Sequence, residues 1–218
     1  SSCGQSGAHC VRFAIAFEGP IGTEKHMSDL FLIRHAPTHL KSMVGWSDVQ
    51  VDLSDTAKLA RLQAQLPKEG YVVSSDLRRA IETADALHLP QTRLPHEAGL
   101  RELNFGDWEL KTFQEIDRID HDHVFSFYDN PGKTRAPKGE SWNSFCARVN
   151  AAVDRLMTSY PNYPLVIVCH FGVVMSQLQR AEGKGAKHTM RHQIDNLSLT
   201  HLRNEHGSWS IHKINFMF

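Results

Sequence analysis

The sequence predicts an α/β fold with a mostly parallel sheet, and three observations support this. Residues 29–33 and 165–169 are short, largely apolar runs without polar alternation, which is typical of strands buried on both faces of a parallel sheet. Segments with helical periodicity lie between the two runs. The 218 residues suffice for one sizeable domain or two small ones, and we expect one because the chain contains no recognisable linker.

The first half of the chain predicts the order strand, helix, strand, helix. After the strand over residues 29–33, Ser54 is expected to cap a helix in which leucines recur at helical spacing until Pro67 ends it. A short strand over residues 71–75 follows. Ser75 or Asp76 is then expected to cap a second helix, so that the chain begins as two successive strand–helix units.

The middle of the chain is less regular. Residues 93–138 are rich in Asp, His, Gly and Pro, and we expect loops and short helices that cover one end of the sheet. Such segments commonly carry substrate specificity. Ser141 is expected to cap a long helix that ends before Pro161, because apolar residues recur there with a period of 3.6.

The last part of the chain repeats the arrangement of the first. The strand over residues 165–169 ends at His170, and an apolar helix begins with Phe171. Residues 197–202 and 208–216 flank the turn sequence NEHG and predict a hairpin at a sheet edge.

Composition and charge argue against several classes of function. Lys and Arg together number 24, as do Asp and Glu, so the chain has no basic footprint for nucleic acid or an anionic membrane. No apolar run approaches the roughly 20 residues that span a bilayer. The four cysteines form no CxxC pair, which argues against a zinc site or a disulfide framework. We therefore expect a cytoplasmic protein without a metal.

Residues 1–26 precede Met27 and differ in character from the rest of the chain. We interpret Met27 as a start and residues 1–26 as a leader outside the fold, which leaves residues 27–218 as a single domain. The apolar stretch over residues 11–17 leaves one alternative open, in which it forms an additional strand.

Cationic side chains and helix starts gather at one predicted edge of the sheet. Arg34 and His35 end the first strand, the sequence SSDLRRA follows the second, and His170 ends a third. The carboxyl ends of parallel strands form the ligand crevice of such sheets, and helix N-termini point free N–H groups into it. Together these groups favour an anion, most simply a phosphate. Cys169 precedes His170, and we interpret it as a small buried strand residue because neighbouring strand positions face opposite ways.

Four sequences, in this order and spacing, carry a family resemblance: LIRHAPT, SSDLRRAIETA, LRELNFGDWE and VCHFGVV. From about Leu30 to the final hairpin, the chain resembles the histidine phosphatase (phosphoglycerate mutase-like) superfamily. The sequences GWSDVQVDLS and NPGKTRAPKGES look like the branch of alpha-ribazole phosphatase-like and broad bacterial phosphatases. The resemblance implies a three-layer α/β/α sandwich with a mostly parallel central sheet.

The resemblance also implies a role for each of six residues. His35 would be the nucleophile that becomes a phosphohistidine, and Glu102 would be the general acid that protonates the leaving oxygen. His170 would complete the pocket as a hydrogen-bond donor. The phosphate-binding residues would be Arg34, Arg79 and Thr38. These residue types suit the chemistry, since a neutral imidazole can attack phosphorus and a guanidinium fork pairs with two phosphate oxygens.

The implied function is that of a phosphomonoesterase that acts on a small phosphorylated metabolite without metal or cofactor. Phosphoglycerate mutase-type transfer is one alternative, but residues 111–138 are short and lack the adjacent arginines that the mutase branch carries there. A non-catalytic module that binds a phosphorylated ligand is the other alternative, although its catalytic set would have to be damaged. The oligomeric state stays open, with a homodimer among the options.

Several residues keep two interpretations. Without the family, Asp107 and Glu109 are as eligible as Glu102 to be the acid. His121 and His123 suggest a metal site, but we expect a solvated loop. Arg78 is expected to be solvated or to lie at the rim of the substrate site. Four aromatic residues could wall the substrate site or pack beneath the loop that carries them: Phe113, Phe125, Phe127 and Tyr128.

Overall fold

The computed structural model describes residues 27–218, in which six strands form one sheet. The strands are β1 (Met27–Arg34), β2 (Tyr71–Ser74), β3 (Thr92–Arg93), β4 (Leu165–Cys169), β5 (Leu199–Glu205) and β6 (Ser208–Phe216). Their order across the sheet is β3-β2-β4-β1-β5-β6. The first four in this order pair in parallel, and β5 and β6 add an antiparallel edge.

Among residues 27–218, seven α-helices surround the sheet. They are α1 (Thr56–Gln63), α2 (Arg78–Ala86), α3 (Phe113–Ile119), α4 (His121–Asp129), α5 (Trp142–Ser159), α6 (Phe171–Glu182) and α7 (Ala186–Thr189). Two short 3-10 helices, Ala98–Leu100 and Gly106–Trp108, lie between β3 and α3. In the part of the chain that the structure describes, no helix is long and apolar enough to cross a membrane.

The sheet separates two hydrophobic cores because its central strands are buried on both faces. Leu30 and Leu32 of β1 pack on the side of α5 and α6, among residues such as Phe145 and Val173. Ile33 belongs to the opposite core with the leucines and alanines of α1 and α2. This is the predicted three-layer α/β/α sandwich with a mostly parallel central sheet, and the fold prediction is confirmed.

Most predicted element boundaries are close to those observed, and the differences concern caps. The Ser141 hydroxyl caps α5 by accepting a hydrogen bond from the Ser144 amide, as expected. Helix α1 is capped by Asp55 instead of Ser54, because the Asp55 carboxylate accepts from the Lys58 amide at 2.9 Å. Helix α2 begins after Leu77 without a side-chain cap, so the prediction for Ser75 and Asp76 is wrong.

The irregular segment contains more helix than its composition suggests. Helices α3 and α4 meet at Asp120, and the Thr112 hydroxyl and the Glu115 carboxylate form a capping box at the start of α3. The hairpin of β5 and β6 lies at the sheet edge, as predicted. The two-residue strand β3 was not predicted, and the predictions for residues 1–26 lie outside the described residues.

Candidate active site

His35 lies directly beyond β1, at the edge where three parallel strands end. Its amide donates to the Cys169 carbonyl at the end of β4, at 2.9 Å, and its own carbonyl accepts from the Asn196 side chain at 2.8 Å. The Ser75 amide, just beyond β2, donates to the Val168 carbonyl. The sheet register therefore brings the ends of β1, β2 and β4 together, as the sequence predicted.

The His35 ring is buried and its orientation is fixed. Its Nδ1 lies 2.7 Å from the Ala36 carbonyl oxygen, and because a carbonyl only accepts, Nδ1 carries the hydrogen. Burial and the charge of Arg79, assisted by Arg34, lower the pKa of His35 to about 3. The imidazole is thus neutral at physiological pH, and the lone pair is on Nε2.

His170 stands at the start of α6, fully buried beside His35, with 5.3 Å between the two ring centroids. Its Nε2 is hydrogen-bonded to the Ser75 hydroxyl at 2.7 Å, whereas its Nδ1 is buried without a partner among the described residues. Burial, together with the charge of Arg79, lowers the pKa of His170 well below its usual range. The site therefore holds a neutral imidazole with one unsatisfied nitrogen.

Two guanidinium groups flank the histidines, that of Arg79 buried and that of Arg34 partly buried. Arg34 donates from Nη1 to the Ile194 carbonyl at 2.6 Å and lies over the Phe171 ring at 5.5 Å, while its Nε has no partner among residues 27–218. Arg79, in the first turn of α2, donates to the carbonyls of Ser47 and Gly45 at 3.0 and 2.7 Å. Burial lowers the pKa of each arginine, but a guanidinium remains charged.

Glu102 is buried beside the start of α6. Its carboxyl oxygens accept hydrogen bonds from the amides of Gly172 and Leu103, at 3.0 and 2.9 Å. Burial raises the pKa of Glu102 above its usual range, against the opposing effects of these amides and of Arg79 and Arg34. The environment therefore favours a carboxyl group that can hold a proton.

The other two acidic candidates have different surroundings. Asp107 is exposed and pairs with Lys138 at 3.1 Å. The Glu109 carboxylate accepts five hydrogen bonds, four from backbone amides and one from the Ser47 hydroxyl. Three of the amides belong to residues 45–47, whose carbonyls hold Arg79. Glu109 thus anchors the loop that orients Arg79, a contact that sequence reasoning missed.

Ser75 and Trp46 are further site residues to which the sequence assigned no role in the site. Ser75 touches His170, and its place in the sequence SSDLRRA was the available signal. Trp46 donates from its indole to the Glu102 carbonyl at 2.9 Å, and the Arg101 guanidinium stacks over its ring at 4.8 Å. Trp46 lies in the sequence GWSDVQVDLS, which indicated the branch of the family but no role for this side chain.

The remaining predicted residues are placed as follows. Thr38 lies three residues beyond His35 in the loop after β1, partly buried, and among residues 27–218 its hydroxyl has no hydrogen-bond partner. Arg78 is solvated and pairs with Glu82, as expected. Cys169 is fully buried in β4, and burial raises the pKa of its thiol.

No metal centre is found among the described residues, where no group of three or more His, Cys, Asp and Glu side chains could hold an ion. His121 and His123 instead pair with Asp117 and Asp120 at 2.5 and 2.9 Å. Both histidines lie on α4, so their assignment to a loop is wrong.

An apolar cavity of about 430 Å³ opens beside Glu102. Phe127 and Tyr128 line it, as one interpretation of the sequence proposed. Phe113 does not line this cavity, and it packs edge-on against Phe125 with 5.5 Å between the ring centroids. The four aromatic residues therefore divide between the two interpretations.

The comparisons with known proteins agree with this fold and arrangement. Residues 30–217 match the family model of the histidine phosphatase superfamily, branch 1, and the chain belongs to this family. Phosphoglycerate mutase-like protein 4 of Arabidopsis thaliana is 28% identical over 169 residues, which cover 73% of this chain and 74% of that protein. The adenosylcobalamin/alpha-ribazole phosphatase of Salmonella typhimurium is 28% identical over 192 residues, covering 86% of this chain and 84% of its own.

A solved structure extends the comparison of the fold. The complex of a mycobacterial glucosyl-3-phosphoglycerate phosphatase with inorganic phosphate superposes with a TM-score of 0.72 at 24% identity, covering 87% of this chain and 97% of that one. The resemblance stated from the sequence motifs is thus confirmed. The family match and the phosphatases among the relatives support a phosphatase activity.

Proposed function

We propose that the protein hydrolyses a small phosphate monoester through a phosphohistidine on His35, without a metal or cofactor. The observation that carries this proposal is the hydrogen bond from Nδ1 of His35 to the Ala36 carbonyl. It leaves the Nε2 lone pair of a neutral imidazole free, and burial together with the neighbouring guanidinium groups lowers the pKa of His35 so that the ring is not protonated. A buried, neutral and oriented imidazole is what in-line attack on phosphorus requires.

In the first step, Nε2 of His35 attacks the phosphorus atom, a P–N bond forms and the bond to the leaving oxygen breaks. The leaving oxygen takes the electron pair and receives the proton held by Glu102. In the second step, water attacks the phosphohistidine and the P–N bond breaks, while the Glu102 carboxylate takes a proton from the water. The enzyme returns to its starting state, and the products are an alcohol and phosphate.

The other proposed residues stabilise charge on the phosphoryl oxygens. The observed bonds use one N–H of Arg34 and two of Arg79, so most of the five donors on each guanidinium remain for phosphate. If the Ser75 hydroxyl donates to Nε2 of His170, the unsatisfied Nδ1 carries a hydrogen that can be donated to phosphate. Thr38 is proposed to add a hydroxyl contact from the loop after β1.

Hydrolysis is favoured over transfer to a second phosphorylated substrate. The cavity beside Glu102, where the acceptor of a mutase would bind, has no Lys or Arg among the described residues that line it. An anionic acceptor would find no partner charge there.

The proposal is tested with purified protein and a generic aryl phosphate. We expect turnover that survives EDTA and is inhibited by vanadate, because a pocket of arginine and histidine needs no metal and can hold a pentacoordinate phosphate mimic. His35→Ala should abolish turnover, while Tyr163→Ala, an exposed change, should not. Loss of wild-type activity on chelation, with recovery on adding a divalent ion, would contradict the metal-free mechanism.

A further inference from the structure

The cavity beside Glu102 has walls of a single chemical character. Most of the residues that line it are apolar or aromatic, among them Phe105, Phe127, Tyr128, Trp142, Phe171 and Met190. Its volume of about 430 Å³ lies within the range of small-molecule sites. We call it the apolar cavity.

The apolar cavity adjoins the proposed phosphate site. Glu102, Phe171 and Gly172 line it, and Phe171 and Gly172 directly follow His170 at the start of α6. The Arg34 guanidinium lies over the Phe171 ring, and the Gly172 amide donates to the Glu102 carboxyl group. A phosphate held by Arg34 and Arg79 would therefore direct its ester oxygen past Glu102 and its leaving group into the apolar cavity.

Charge in the apolar cavity disfavours an anionic leaving group. Among the described residues that line it, none is Lys, Arg or His, and the one ionisable acid is Glu102. A carboxylate or second phosphate on the leaving group would lose its hydration without gaining a cationic partner.

Few polar groups are available to recognise a sugar or another polyol. The indole N–H of Trp142 is already bound to Gln179 at 2.7 Å, and the Thr134 hydroxyl lies 3.4 Å from that of Ser126. The Tyr128 hydroxyl points to the Met43 sulfur at 3.8 Å. A leaving group with many hydroxyls would leave most of them without partners in this cavity.

We infer that the preferred substrate is the phosphate monoester of an uncharged alcohol that carries an aromatic or similarly large apolar group. This inference rests on the proposed function, because the phosphate site fixes which end of the substrate enters the apolar cavity. Aromatic walls around a planar group add edge and stacking contacts to the burial of apolar area.

The test compares three esters of primary alcohols, in which the basicity of the leaving oxygen is similar. They are 2-phenylethyl phosphate, ethyl phosphate and 3-phosphoglycerate. We expect kcat/KM for the phenylethyl ester to exceed that for the ethyl ester by about 10- to 100-fold, the gain expected for burying one aromatic ring. We expect 3-phosphoglycerate to be the poorest of the three.

Two substitutions probe the walls. Tyr128→Ala should lower the phenylethyl-to-ethyl ratio of kcat/KM by about 10-fold, because it removes one aromatic wall of the apolar cavity. Tyr128 is half exposed, so its truncation should not disturb the hydrophobic core. Met190→Arg should raise kcat/KM for 3-phosphoglycerate and lower it for the phenylethyl ester, because it adds a cation at the rim. The matched controls are Tyr163→Ala and Met217→Arg, which lie away from the apolar cavity and should leave kcat/KM for all three esters unchanged. Their exposed fractions match those of the tested residues: 52% for Tyr163 against 50% for Tyr128, and 40% for Met217 against 37% for Met190.

A binding measurement separates failure of this inference from failure of the proposed function. Calorimetric titration with benzylphosphonate and phosphonoacetate needs no turnover, and we expect the former to bind at least about 10-fold more tightly, in a manner that depends on Tyr128. Equal binding, or equal turnover of the three esters, would overturn the inference while leaving hydrolysis intact. Selective binding without any hydrolysis would support the inference for the apolar cavity and refute the proposed function.

Discussion

Gly172 shows how closely the backbone of α6 approaches the Glu102 carboxyl group. A Cβ atom at this position would lie 2.2 Å from Oε1 of Glu102 and 3.1 Å from the Phe145 ring. Only glycine therefore lets the Gly172 amide donate to Glu102 at 3.0 Å. Glycine is required at position 172 by this close approach, and not by a left-handed backbone conformation.

We predict that Gly172→Ala displaces the Glu102 carboxyl group and slows hydrolysis of an alkyl phosphate by about 10- to 100-fold, part of the contribution of general acid catalysis. The unfolding midpoint should fall only modestly, because the closest displaced atom is the end of the Glu102 side chain and the Phe145 ring has to shift only slightly. Gly185→Ala is the matched control, since a Cβ there would meet nothing within 4 Å. Equal rates for both variants would contradict the placement of Glu102.

The proton on Glu102 predicts an asymmetric pH profile. His35 stays neutral well above its pKa of about 3, so protonation of the nucleophile does not limit the rate near neutrality. In the proposed mechanism Glu102 is protonated for the first step, and burial raises its pKa, so kcat/KM for an alkyl phosphate should fall as pH rises through that pKa.

The Glu102→Gln variant isolates this effect from ionisation of the substrate. This variant should not show the decrease of kcat/KM with rising pH that Glu102 causes. It should hydrolyse an alkyl phosphate about 100-fold or more slowly, but an activated aryl phosphate should be affected far less, because its leaving oxygen needs no proton. A variant that is slowed equally on both esters would show that Glu102 does not act as the acid.

At the scale of elements, the loop of residues 45–47 connects Glu109 to Arg79. The Glu109 carboxylate accepts hydrogen bonds from the amides of all three loop residues, and the Gly45 and Ser47 carbonyls accept hydrogen bonds from the Arg79 guanidinium. Thr83 ties the same helix to the end of β1, because its hydroxyl donates to the Arg79 carbonyl and accepts from the Ala36 amide. The position of Arg79 thus depends on three other segments: the loop of residues 45–47, Glu109 behind that loop, and Ala36 beyond the end of β1.

We predict that Glu109→Gln loosens the hold on Arg79, because an amide NH₂ faces backbone donors that need an acceptor. KM for an aryl phosphate and the vanadate inhibition constant should rise by about 10-fold, and stability should fall by about 1 to 3 kcal/mol. Glu82→Gln breaks an exposed pair with Arg78 and serves as the control, with little effect on either quantity. Lost stability with an unchanged inhibition constant would mean that Glu109 supports only the fold.

At the scale of the whole molecule, parallel strand pairing explains why distant residues meet. Arg34 is paired with Cys169 and Ser74 with Val168, so the residues that follow these strands converge although more than 130 positions separate His35 from His170. The two cores on opposite faces of the sheet hold this register, since a slip of one residue would turn each apolar side chain to the other face.

The same geometry explains which features the sequence could predict. Buried strands have continuous apolar runs and amphipathic helices have a period of 3.6, and the residues at the strand ends follow from those patterns, as for Arg34, His35 and His170. The Glu109 contacts and the uncapped start of α2 depend on loops that pack together across the fold, for which no local pattern exists. Glu102, Asp107 and Glu109 occur within one short stretch, and only the family resemblance could select Glu102 as the acid. What distinguishes Glu102 is its burial, which the sequence does not show.

The central claim is that His35 carries the phosphoryl group. Rapid denaturation without acid, after mixing with a ³²P-labelled phosphate ester, should trap label on the peptide that contains His35, stable in alkali and lost in acid as expected of a phosphoramidate. His35→Ala should abolish both label and turnover, because no neighbouring group replaces the nucleophile. Label on another residue, or near wild-type turnover by His35→Ala, would contradict the account.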